Sequence, residues 1–352
     1  MYINSINYFR GISIIFIVFG HCLGLADFMY DSMAGNTLWN LTLGGTYFFV
    51  FISGFLFHHI FYQKFVFKKF MIKKIKYVLC PYLILSTLPI LYLILRICIA
   101  SIFSPSSFTH YYEELLSIPL FRLYVMGVGI YGSYWFIPFI MIIFSLSPIF
   151  VRFIKLKLKV QIITILFLLI CSVFIHRGTY ENVFSVFQNV LNFTPIYLIG
   201  IISSEKKDII YTKIKGKEFY IFSLVITLAI FQAYIGRSGG YSKAPFAFGG
   251  INLIIIQKIL FCFFFMIWLN RFEKFKLKSL KIVAENSFGI YFTHGIIIII
   301  LSKIKHGLGI SFTSNSFIIY CLVTMLVFFL SISVTLFVKR LFPKHSRYLV
   351  GS

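Results

Sequence analysis

The chain has 352 residues, 59% of them hydrophobic, 20% aromatic and only 12% charged, with a mean hydropathy of +0.92. A soluble domain of this length carries roughly twice that share of charge, so a water-soluble globule is excluded. The formal charge of +23 invites a nucleic-acid partner, but its distribution along the chain argues against one.

Ten apolar runs near the spanning length follow one another, at 6–26, 41–61, 77–100, 133–151, 160–177, 187–203, 218–235, 251–269, 282–302 and 316–338. They predict an all-α fold, a polytopic transmembrane helical bundle. With no long linker, repeat or low-complexity tract between them, residues 1–352 read as a single integral-membrane domain.

The first run holds two groups that are costly in a membrane, Arg10 and His21. In an α-helix their α-carbons lie about 16 Å apart along the axis, and eleven steps of about 100° end some 20° past three full turns. Both side chains therefore fall on one face. Ionisable groups inside a membrane are functional by default. Residues 1–26 also resemble a signal peptide, with Gly24 and Ala26 as a small-x-small site. No basic residue precedes Arg10, and the segment is read as a retained span.

In the second run, Ser53 stands beside Gly54, a pair suited to close helix packing. The third follows a basic stretch containing Lys74 and Lys76. Residues 101–132 form the longest connection and include GVGIYG, a G-x-G-x-x-G match without a βαβ unit around it, so no nucleotide site is expected there. Tyr134 and Trp135 open the fourth run at the position of an interfacial aromatic belt. Further on, Gln257 and Lys258 sit within the eighth run and suit a cavity lining, and His294 lies mid-way along the ninth, where a hydrogen bond to another helix is its simplest role.

Twenty-four lysines and arginines fall in alternate connections and the C-terminal tail, against six in the others. By the positive-inside rule, both termini are cytoplasmic, and the charge also attracts anionic membrane lipids. The six cysteines lie within or at the ends of spans with no C-x-x-C pair. They read as buried thiols, so neither disulfides nor a zinc or other metal site is expected.

Five stretches in order resemble the integral-membrane acyltransferase 3 family: RGISIIFIVFGH (10–21), FFVFISGFLF (48–57), KIKYVLCPY (74–82), YWFIPFIM (134–141) and SFGIYFTH (287–294). The chain looks most like the compact, ten-span exopolysaccharide and O-antigen acyltransferases. It departs from the family in carrying lysine at 74 and 76, where arginine is frequent; lysine lacks the planar fork that grips phosphate in two places.

The resemblance implies a bacterial cytoplasmic-membrane O-acyltransferase that moves acetyl, or a related short acyl group, from cytosolic acetyl-CoA to a hydroxyl of a lipid-linked or surface glycan. On that reading Arg10, Lys74 and Lys76 meet the donor's phosphates. His21 acts as general base or carries the acyl group itself. Trp135, Tyr134, Ser53 and His294 are the remaining candidates, for contact with the acceptor. The rival readings are a flippase or exporter of lipid-linked glycan, which should show two related halves, and a glycan polymerase, which should carry a larger outer loop.

Overall fold

A computed structural model describes residues 3–103, 124, 134–179, 184–240, 242–245, 247, 249–312 and 316–352. GVGIYG and nearly all of the 101–132 connection lie outside them.

Each of the ten predicted spans falls on a helix. The helices are α1 (Asn4–His21), α2 (Met33–Thr42), α3 (Gly45–Leu56), α4 (Phe67–Lys74), α5 (Cys80–Phe103), α6 (Phe136–Ser145), α7 (Ser147–Ile154) and α8 (Leu158–Ile175). There follow α9 (Phe184–Glu205), α10 (Lys207–Ile214), α11 (Glu218–Tyr234), α12 (Leu253–Asn270), α13 (Lys278–Glu285), α14 (Ser287–Gly307), α15 (Phe317–Leu341) and α16 (Ser346–Leu349). Among the described residues six helices are long and apolar enough to cross a membrane, counting Met33–Lys64 as one, or seven if α6 and α7, bent by 54°, form a broken span. Two of the spans missing from that count have local causes. α1 is diluted by Asn4, Asn7, Arg10 and His21, and α11 has only 17 residues.

α1 is the hub, packed against α3, α12, α13, α14 and α15. Lipid tails are as apolar as leucine, so helices in a membrane associate by close packing rather than by escape from water. Phenylalanine rings supply much of it: Phe9 lies 5.6 Å from Phe48 and 5.3 Å from Phe265, and Phe48 lies 5.5 Å from Phe261, centroid to centroid. Glycines bring the backbones together. Gly54 of α3 faces the Tyr197 carbonyl and Gly200 of α9 faces the Phe51 carbonyl, leaving no room for a β-carbon on either. The close approach foreseen at Ser53–Gly54 is thus made by Gly54, reciprocated from α9.

Two features escaped the sequence reading. α2 occupies part of a presumed loop, and a short parallel pairing joins β1 (Arg177–Gly178) to β2 (Ser242–Lys243). Between α2 and α3 the chain turns at Gly44, whose φ of 97° favours glycine. Lys258, fully buried in α12, donates to the Asn40 and Leu41 carbonyls at 2.7 and 2.9 Å. It therefore satisfies the C-terminal end of α2, and it is absent from the lining of the cavity it was expected to face. Gln257 likewise turns away, donating to the Val225 carbonyl.

Candidate active site

His21 is the last residue of α1, and its ring is open to a cavity of about 60 Å³ lined also by Gly44, Gly45, Tyr47, Trp135, Arg177 and Tyr291. His294 of α14 is fully buried beside it. The rings lie parallel within 4°, and His21 Nδ1 is 2.9 Å from His294 Nε2.

One end of this pair determines its protonation. His294 Nδ1 lies 3.1 Å from the Ile290 carbonyl, one turn back in α14. A carbonyl oxygen only accepts, so Nδ1 carries hydrogen, and a neutral His294 then offers Nε2 as acceptor. His21 must donate through Nδ1–H, which leaves the lone pair on Nε2 for the cavity. The backbone thereby sets the tautomer of His21 through a second imidazole.

Trp135 and Tyr134 sit inside the bundle, 5% and 2% exposed, rather than in a lipid-facing belt. Trp135 stacks on Phe139 and carries the Arg177 guanidinium 4.8 Å above its ring. Tyr134 donates to the Phe292 carbonyl at 2.6 Å, tying the α6 end to the helix that bears His294. Ser53 is half-buried and does not line the cavity.

The segment bearing Arg177 is heavily braced. His176 has φ +59°, a conformation that costs a non-glycine residue on the order of 1–3 kcal/mol. Its Nε2 donates to the Gly250 carbonyl at 2.7 Å. Gly178 N–H donates to Asn189 Oδ1, and Gln188 Nε2 donates to the Ile175 carbonyl. In sequence terms Arg177 was only one of the six basic residues on the charge-poor side; nothing local marked it.

At the other end of α1, half-buried Arg10 donates from Nε and Nη2 to the carbonyl of Ala284, near the end of α13. The two ends of the Arg10–His21 stripe thus meet two successive helices, α13 and α14. An apolar slot of about 10 Å³ lies between these ends, lined by Ile17, Phe49, Phe136, Ser287, Phe288 and Tyr291. It shares Ile17, Phe136 and Tyr291 with the His21 cavity. Ser287 Oγ is buried there without a hydrogen-bond partner among the described residues.

Lys74 and Lys76 diverge. Lys74 lies 4.2 Å from the centre of the Phe144 ring, and burial, then the nearby Arg10 charge, push its ammonium down to about 8. Lys76 is exposed and lies 5.7 Å from the Tyr348 ring. Beside Lys74, a hollow of about 110 Å³ is ringed by Lys64, Lys69 and Lys73 over Phe61, Phe65 and Phe70. These three lysines lie beside Lys74, which the family resemblance had singled out together with Lys76.

A family model described as an acyltransferase domain matches residues 3–336. The chain belongs to the acyltransferase 3 family. Among curated proteins and solved structures, none matches it. Membership makes this protein a membrane acyltransferase and removes the transporter and polymerase readings.

Proposed function

We propose that this acyltransferase takes acetyl, or a similarly short acyl group, from cytosolic acetyl-CoA to a hydroxyl of a cell-surface polysaccharide, in the bacterial cytoplasmic membrane with both termini inside. The observation that carries the reading is the His21–His294 pair, which presents a neutral imidazole nitrogen to a small cavity next to an apolar slot with which it shares Ile17, Phe136 and Tyr291.

Size favours a short acyl group. The cavity of about 60 Å³ is only a few times the ~10–15 Å³ that holds one water. The basic end, with Arg10, Lys74, Lys76 and the hollow of Lys64, Lys69 and Lys73, suits the donor's phosphates and pyrophosphate. Beside it, the Ser287 hydroxyl, unpartnered among the described residues, offers a polar group to an amide of the donor's pantetheine arm. His21 Nε2 then takes the proton of the acceptor hydroxyl, with Trp135 beside it as a flat apolar wall.

The test is mass spectrometry of the surface glycan from cells lacking the gene and complemented with wild type or His21→Ala. The wild type is expected to restore one acetyl mass per repeat and the variant to restore none at equal membrane abundance. A glycan unchanged by deletion, or acetylated equally by His21→Ala, sinks the reading.

A further inference from the structure

We propose that Arg177 is a catalytic residue that stabilises the oxyanion of the transfer; the inference rests on the acyl transfer proposed above. Three observations lead to it. The guanidinium shares the small cavity with His21. It is held 4.8 Å above the Trp135 ring, on a residue whose backbone is paired to β2 and follows the strained, hydrogen-bonded His176. And the cavity is small, about 60 Å³, so the cation and the imidazole face a common volume. A cation held rigidly in so small a space meets the reacting atoms rather than a distant group of the acceptor.

The step balances as follows. The acceptor oxygen bonds to the thioester carbonyl carbon while its proton passes to His21 Nε2. The carbonyl π pair moves onto oxygen, and this oxyanion accepts hydrogen bonds from the Arg177 guanidinium. The pair then re-forms the carbonyl and the carbon–sulfur bond breaks. Sulfur leaves with the bonding electrons and takes the proton back from His21 as the free thiol. Gly45 and Thr46, in the first turn of α3, line the same cavity, and the N-terminus of a helix favours the same charge. A lysine at 177 would keep charge but lose the fixed two-pronged donor.

The experiment uses the full chain, purified in lipid nanodiscs, with acetyl-CoA and a soluble glycan acceptor. Arg177→Met is expected to lower kcat by roughly 10²–10³, the loss typical of an oxyanion donor, with the KM for both substrates little changed. Arg177→Lys should recover part of the rate, and added guanidinium ion should partly rescue Arg177→Ala. Thermal unfolding of each variant normalises for folded protein, since a bracing role alone would not respond to guanidinium. A kcat within about tenfold of wild type in Arg177→Met overturns the assignment. So does a defect confined to the acceptor KM, which would make Arg177 a reader of acceptor anions. A wild-type protein inert toward every acyl-CoA overturns both this inference and the function beneath it, whereas an active wild type with an active Arg177→Met overturns this one alone.

Discussion

At the His21 end of α1, polar groups are tied down: His294 to a backbone carbonyl, His21 to His294, Tyr134 to the Phe292 carbonyl. At the Arg10 end, Lys74 and Lys76 lie over aromatic faces, and three more lysines ring a hollow without an ion pair among the described residues. A buried hydrogen bond left unmade costs about 1–3 kcal/mol, while an exposed cation over a ring, such as Lys76, is worth about 0.5–1 kcal/mol. The first region therefore holds atoms in place, as bond-making requires. On the proposed function, the second lets charges rearrange around a flexible polyanionic donor. Substitutions should separate the two, with losses of rate at one end and losses of affinity at the other.

The sharpest break is His21→Ala. Loss of the proton acceptor should lower kcat by about 10²–10⁴ with the affinity for acyl-CoA nearly intact, read from thiol release by the purified protein. A variant that turns over normally would end the base assignment. Next comes His294→Ala, which leaves His21 unoriented and its tautomer unset; a fall of about 10–10² is expected, as for other groups that orient a reactive side chain. His294→Gln, whose amide oxygen can accept from His21 Nδ1–H, should recover part of it. If alanine and glutamine behave alike, the relay has no functional weight.

At the binding end the effect depends on pH. Lys74, held at about 8, is charged at neutrality and loses its proton as pH rises through that value. Affinity for the anionic donor should therefore fall by roughly tenfold between pH 7 and 9. In Lys74→Arg it should stay level, and in Lys74→Met it should be weak throughout; a wild-type profile as flat as the arginine variant's would detach Lys74 from the donor. The smallest effect lies outside both regions. Asp27 pairs with Lys305 at 2.5 Å and accepts from Phe312 N–H, and the Lys305 bond chiefly holds its carboxyl below the ordinary 3.8. The stabilisation is complete above that ordinary value and disappears as pH falls through the depressed one. Being largely solvated, the pair should contribute under about 1 kcal/mol. Thermal unfolding against pH should show a slight acid loss that Asp27→Asn abolishes; identical curves would remove the pair from the stability account.

Much of the site could be read from the chain because it lies on single helices. Arg10 and His21 share a face by helical arithmetic alone, and His294 was expected to bond another helix. The partner's identity was not legible, since residues 21 and 294 are brought together by the packing of α1 on α14. Trp135 and Tyr134 were legible as aromatic residues at a span end, but whether such rings face lipid or interior depends on neighbours, and here α9 and α14 cover them. Lys258 looked like a cavity residue because a buried ammonium needs oxygen. It finds that oxygen at the end of α2, a helix lying in what the sequence presented as a loop.

By itself the sequence determined that this is a helical membrane protein, which segments are helical, and that one stripe of the first helix carries a cation and an imidazole. Composition and the 3.6-residue period act within a segment and need no partner. Only the tertiary structure decided that His294 sets the proton on His21, that Trp135 faces inward, and that Arg177 shares the cavity. These are relations between residues far apart in the chain, established when side chains from α1, α6, α14 and the β1 segment meet around one cavity.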